Sequence, residues 1–332
     1  MIYTNTAAFA SAGAAPPAQA FLIDDVGQSA LSAVSIRKLK SDYSGFCMRI
    51  RRQSDNAETD IGFDAVGMLD VQAIATFCGT ARGFVKTWYD QSGNSAHYTN
   101  SVISTQPYIY QPSTGGVFTD ALGNYGVIST VNTATVGPDS FLLSINIGRY
   151  TPTTTMVGQI NLFNSSGLMF CDDQNGYFGG TYGTPSNNSV RLISSSGGEL
   201  ISIGEIQTNG TEPFHFTTFY ARPRTGVSGF YNSRLWSSSR FGTINSSSGL
   251  DVPTTINPLE WAIPSPTSYN TPDYDRIRLF SFPAGNHGQN CIISEFINWD
   301  FSTEMETLLE PQIAILQNNI NTQYGLTLTP QL

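Results

Sequence analysis

Beyond residue 100 the sequence is punctuated at short, even intervals, and that spacing constrains the fold more than any other feature. Runs rich in aromatic and β-branched residues, at 141–147, 214–221, 276–280 and 291–299, alternate with clusters of Gly, Pro, Asn and Ser. Turn signals about every 8 to 15 residues leave little room for packed helices and indicate an all-β sandwich or jelly roll.

The first hundred residues are more varied. Residues 1–22 read as an Ala-rich arm, flexible alone or ordered against a neighbour in an assembly, and 23–332 as a single β-sandwich domain without repeats or an internal linker. Between Gln28 and Tyr43 the apolar positions Leu31, Val34, Ile36 and Leu39 oppose Arg37, Lys38 and Lys40, a spacing that predicts a short helix closed by Gly45. Cys47 to Arg52 alternates apolar with basic, as a half-buried strand does. Asp70 is placed to cap a helix over 71–78 with Gly79 at its end, and 83–89 reads as a strand followed by the turn Asp90-Gln91-Ser92-Gly93-Asn94. A last helix follows Thr303-x-x-Glu306, a capping box, with Met305, Leu308, Leu309, Leu316 and Ile320 as its apolar stripe. Pro311 is expected to kink or restrict that helix, and Gly325 to end it.

Composition narrows the function classes. Only 12% of the 332 residues are charged, about half the usual soluble share, and the formal net charge is −9. With 40% hydrophobic and 12% aromatic residues the chain is not disordered. No apolar run approaches the ~18 to 20 residues of a bilayer span, so no membrane partner is expected. Lys38, Lys40 and Lys86 are the only lysines, too few to neutralise a row of phosphates, so nucleic acid is not expected as a partner either. Ser, Thr, Asn, Gln and Gly cover the surface instead, and such a neutral surface offers little repulsion between packed copies.

Cys47, Cys78, Cys171 and Cys291 are widely spaced, without a C-x-x-C or a neighbouring His, so no metal site is assigned; buried free thiols are the plainer reading, although the even number permits two disulfides. The N-terminus lacks a basic segment followed by an apolar core, so no signal peptide is read and synthesis in a cytoplasm is expected. Six of the sixteen basic residues fall between Arg37 and Arg52. They form either an anionic-ligand patch or a solvated strand face paired with Asp55, Glu58, Asp60 and Asp64, and the second is the plainer reading.

Two motifs carry a resemblance. Arg49-Ile50-Arg51-Arg52-x-Ser54-Asp55-Asn56-Ala57-Glu58-x-Asp60-Ile61-Gly62-Phe63 and Phe84-Val85-x-Thr87-Trp88-Tyr89-Asp90-Gln91-Ser92-Gly93-Asn94 stand in order within the segment from Ser35 to Tyr98. This segment resembles the start of the catalytic domain of α-L-arabinofuranosidase B, and still more the related domains of bacteriophage structural and tail proteins. The resemblance implies an all-β, concanavalin A-like jelly-roll β-sandwich with a few short helices, one near each end of the chain. It does not by itself imply catalysis.

Retaining hydrolysis needs two carboxyls roughly 5 to 5.5 Å apart. In the arabinofuranosidases these lie in the later half of the domain, near a vicinal cysteine pair. This chain has no adjacent cysteines, and between Gly126 and Phe170 it holds one carboxylate, Asp139, in a turn-like setting after Pro138. Asp172-Asp173 and Asp273-x-Asp275 read as loop acids, and His97, His215 and His287 are dispersed, with no nucleophile elbow. No catalytic residue and no cofactor is assigned, and the reading leans away from an enzyme. Trp88, Tyr89, Asp90, Gln91, Asn94 and His97 are the candidate carbohydrate-binding residues, against a plainer reading of core packing and a side-chain-stabilised turn. The expected function is that of a bacteriophage virion protein, capsid-associated, fibre, spike or tail, partnered by other virion proteins and by copies of itself, with host surface glycan as a ligand. The alternatives are a carbohydrate-binding module and a glycoside hydrolase of the α-L-arabinofuranosidase type.

Overall fold

The computed structural model describes residues 21–112, 116–117 and 125–129, the strands from 142 to 264, residues 277–280 and 291–299, and the closing helix with its cap at 305–325. From 142 to 264 the description is of backbone pairing. The proposed arm lies outside the described residues except for Phe21 and Leu22, and Leu22 is already buried.

Helix α1 (Leu22–Val26) leads into β1 (Ala30–Ser35), β2 (Met48–Arg52), β3 (Glu58–Ile61), α2 (Val71–Cys78), β4 (Gly83–Trp88) and β5 (Tyr98–Thr99). A short 3-10 turn, Ile103–Thr105, precedes β6 (Tyr108–Gln111), β7 (Gly116–Val117), β8 (Val127–Ser129) and β9 (Leu142–Ser144). Next come β10 (Thr154–Ile160), β11 (Gly167–Asp172), β12 (Tyr177–Tyr182), β13 (Ser189–Ser196), β14 (Glu199–Gln207) and β15 (Pro213–Tyr220). The chain closes with β16 (Phe230–Ser239), β17 (Ile244–Asn245), β18 (Leu259–Pro264), β19 (Ile277–Leu279), β20 (Cys291–Trp299) and α3 (Met305–Tyr324).

The expected all-β architecture is present. One run of antiparallel neighbours passes through β3, β2, β4, β5, β9, β19, β11, β12, β13, β14 and β17. A second passes through β1, β20, β10, β15, β16 and β18. β4 divides between partners: Gly83 and Phe84 face β6, whereas Thr87 and Trp88 face β5. β6 pairs with β8 and β8 with β20, which joins the two runs at one side. The runs are the layers of a β-sandwich. Across the interior the hydroxyls of Ser32 and Tyr98 lie 3.0 Å apart, and the Tyr98 ring meets Phe296 edge-on at 6.1 Å. Trp88, Tyr98, Phe296 and Trp299 fill the space between them.

The helix expected over 28–43 is a correction, because Ala30–Ser35 is a strand paired with β20. Its residues are buried on both faces, Ser32 and Ser35 included, so the apolar spacing that imitates a helix face omits polar residues that belong to the core. The N-terminal helix lies earlier, at Leu22–Val26, and ends at Gly27 with φ +67°. Helix α2 falls where Asp70 and Gly79 place it, and the Asp70 side chain accepts the Ala73 amide at 2.8 Å. α2 lies close against β4: a Cβ on Gly83 would stand 2.9 Å from Cys78 Sγ and 3.2 Å from Ile50 and Tyr110. Helix α3 runs through Pro311 without ending there and stops at Gly325, φ +64°. Leu316, Ile320 and Tyr324 form its buried stripe, whereas Thr303 and the side chains of Met305, Leu308 and Leu309 lie outside the described residues.

The ends of the domain are held together by one buried polar network. Arg37 grips Glu295 of β20 through Nε at 2.8 Å and Nη2 at 3.2 Å, with side-chain exposures of 2% and 0%. Glu295 also accepts from Ser35 and Tyr324, while Arg37 Nη1 donates to Asn319 at 2.7 Å and Asn319 in turn donates to Asp25 of α1. Removing one partner leaves an uncompensated buried charge. Glu295→Leu alone should cost about 3–5 kcal/mol, and the double variant Arg37→Met/Glu295→Leu should recover most of that, as urea denaturation midpoints will show.

Candidate functional site

The segment from Trp88 to His97 holds every candidate binding residue, and the structure divides them by orientation. Trp88 points inward, fully buried, and its indole N–H donates to the Ser35 carbonyl at 3.2 Å. It offers no face to a sugar, a correction to that part of the sequence reading. The Asp90 carboxylate is buried and accepts the backbone N–H groups of Ala33, Ser92 and Ala96 and the Ser92 hydroxyl, at 2.6–3.0 Å. Gln91 is buried as well; its carbonyl accepts the Leu39 N–H and its amide donates to the Arg37 carbonyl, at 2.8 and 2.9 Å. Asn94 donates to the carbonyls of Ala30 and Leu31.

Asp90, Gln91 and Asn94 therefore clip the β4–β5 connection onto β1 and the residues after it. A backbone without regular pairing there needs side-chain partners, and these residue types supply them. The clip explains the motif without a ligand.

Tyr89 and His97 turn the other way. The half-buried Tyr89 hydroxyl donates to Asp60 Oδ1 at 2.7 Å, and Arg49, opposite Asp60 in the β2–β3 register, binds both oxygens of that carboxylate at 2.8 and 2.7 Å. His97 stands edge-on to Tyr89 at 5.1 Å, and its Nδ1 accepts the Asp90 amide N–H, which leaves Nε2 as the donor. Beside them Lys86 holds both Glu58 oxygens at 2.7 and 2.9 Å. Arg49 keeps the Asp60 carboxyl below the ordinary carboxylate range, with a further contribution from Tyr89, whereas burial and the Asp60 contact push the Tyr89 phenol up to about 12. The arrangement is an aromatic edge flanked by hydrogen-bonding groups in paired charge states, suited to a neutral polyol.

The Arg49–Asp60–Tyr89 group escaped the sequence reading as a site. Its signal was the cross-strand pairing of Arg49 with Asp60, assigned above to a solvated strand face. That pairing is correct for Arg49 with Asp60 and for Arg52 with Asp55. Among the described residues no group of His, Cys, Asp or Glu is arranged to hold a metal ion. Cys47 and Cys78 are buried free thiols, burial raising both, Cys78 to about 11. The side chains of Cys171, Cys291, Asp172 and His215, together with Asp139, Asp173, Asp273, Asp275 and His287, lie outside the described residues.

Residues 25–124 match the sequence profile of the catalytic domain of α-L-arabinofuranosidase B, which bears out the family resemblance over that part of the chain. The fold is similar to that of a glycoside hydrolase family 54 α-L-arabinofuranosidase soaked with a cyclic sulfate inhibitor, at 14% identity and a TM-score of 0.59. It is equally similar to an arabinofuranosidase complexed with arabinofuranosyl-α-1,2-xylobiose, at 15% identity and 0.59. Each likeness covers 91% of this chain but 64% of the other, so the chain spans less than two thirds of those proteins. At such identity the likeness establishes the shared sandwich. No curated protein matches the sequence.

The clip and the Asp60 group make separable predictions. Asp90→Ala leaves buried N–H groups without acceptors and should cost about 1–3 kcal/mol in urea denaturation. The folded Asp60 carboxyl titrates below its unfolded value, so its contribution is present above the unfolded range and is lost as pH falls through the folded one. Asp60→Asn should therefore be less stable than the parent at about pH 7 and should lose less on acidification, as midpoints at about pH 7 and about pH 3 will show.

Proposed function

We propose that this chain is a carbohydrate-binding domain built on the arabinofuranosidase-type sandwich, and that it engages glycan without cleaving it. The observation that carries the reading is the profile match over residues 25–124, joined to a fold likeness extending over 91% of the chain. The surface beside Tyr89 and His97, with Arg49 and Asp60 held in place by each other, supplies the mixed aromatic and polar groups that sugar recognition uses. The reading of binding without cleavage rests on the sequence, which has no vicinal cysteine pair and a single carboxylate between Gly126 and Phe170. Titration of the full chain with arabinofuranosyl oligosaccharides should give saturable binding, weakened about tenfold in Tyr89→Ala by loss of the aromatic contact. No product should be released from an aryl arabinofuranoside. Product release abolished by a single carboxylate substitution would replace this reading with that of an active hydrolase.

A second reading sets the domain within a bacteriophage virion, among other virion proteins and copies of itself, with host surface glycan as the ligand. It is supported by the low charged fraction of the sequence, 12%, and by the Ala-rich residues 1–20, suited to contact with a neighbouring subunit. A homo-oligomer in solution that falls apart when residues 1–20 are deleted favours it; a monomer indifferent to the deletion counts against it.

A further inference from the structure

Arginines in this domain are matched with carboxylates at Arg37, Arg49 and Arg52. Arg51 and Arg82 are not: among the described residues neither guanidinium is ion-paired. Arg51 is buried, at 4% exposure, and donates to neutral acceptors only: Gln106 Oε1 at 2.6 Å, Asn56 Oδ1 at 2.8 Å and the Ile103 carbonyl at 3.4 Å. Glu58 stands opposite Arg51 in the β2–β3 register, yet its carboxylate is taken up by Lys86. Desolvation of Arg51 opposes its charge. A buried cation with no direct carboxylate contact among the described residues, and only the field of Glu58 to favour its charge, is costly, so its retention calls for an explanation.

The strand register arranges these groups in a row. Arg51 of β2, Phe84 of β4 and Tyr108 of β6 are lateral partners, and Arg82 precedes Phe84 by two residues. Arg51 Cζ lies 4.6 Å from the Phe84 ring centroid, and Arg82 Cζ lies 5.8 Å from Phe84 and 4.9 Å from Tyr108. The aromatic faces hold both guanidiniums; Arg51 is buried against its three acceptors, whereas Arg82 is half-buried and its N–H donors have no acceptor among the described residues. Against the single charge of Glu58 stand Arg51, Arg82 and Lys86, a local cationic excess in a chain whose net charge is −9. The Ile103 carbonyl accepts from Arg51 at 3.4 Å, and the Val102 and Ile103 side chains are 46% and 53% exposed.

We propose that Arg82, seated on the Phe84 and Tyr108 rings beside the buried charge of Arg51, binds the carboxylate of an acidic sugar residue, a uronate, with Ile103 under its ring. A guanidinium fork matches a carboxylate, and an apolar shelf matches the C–H face of a pyranose. The inference rests on the carbohydrate reading above and names the chemical class of the sugar.

Calorimetric titration of the full chain with α-1,4-linked trigalacturonate, its methyl ester and a neutral arabino-oligosaccharide tests it. The acid trimer should bind about tenfold or more tightly than the ester, which lacks only the charge, and added salt should narrow the gap. Arg82→Gln, at a side chain with no hydrogen bond among the described residues, should abolish the gap without lowering the melting temperature. Equal affinity for acid and ester, or an acid affinity indifferent to Arg82→Gln, overturns the proposal. If the arabino-oligosaccharide binds while the acid gains nothing over its ester, only this inference fails. If no saccharide binds, the carbohydrate reading fails with it.

Discussion

The buried pair of Arg37 and Glu295 is the constraint on which the rest of the domain depends. The two residues are separated by most of the chain, and their contact fixes β1 beside β20 in one register. Through Asn319 and Asp25 the same network sets both terminal helices against that strand pair. Apolar burial supplies most of the driving force for such a sandwich but tolerates sliding. A charged pair that is satisfied in a single geometry does not.

The motif that carries the family resemblance has a structural explanation. Asp90, Gln91 and Asn94 serve the backbone of the segment before β2, and Trp88 is a core residue. Sequence similarity in this stretch therefore tracks the way the first strands are assembled. It is matched by a likeness to the arabinofuranosidase-type sandwich, and it is silent on the chemistry performed on that scaffold. The groups free to act outward, Tyr89 and His97, sit on the other side of the same connection, held by the clip beneath them.

Much of the architecture was legible in the sequence because it follows from local physics. Turn spacing gave the strands near 214–221, 276–280 and 291–299 to within a residue or so, and Asp70 with Gly79 bounded α2. The failure at Ala30–Ser35 has a definite cause: a strand buried on both faces loses its alternation, and its buried serines look like surface residues until Tyr98 and Glu295 are known to be their partners. The site was legible only in part for a related reason. Residue type cannot reveal orientation, so Trp88 and Tyr89 were equivalent as symbols and opposite in space. The unmatched state of Arg51 depends on Lys86 having taken Glu58, a competition visible only once three strands are in register.

Among the described residues β1 has one strand partner, β20. Residues 90–94 can clip one side of Ala30–Ser35 early, but the β20 pairing forms only once residues beyond 290 have been made. A pairing across so much of the chain raises contact order, which slows the closing of the layer that contains β1. Until then one edge of a stretch of small and apolar residues is open to pairing with other chains.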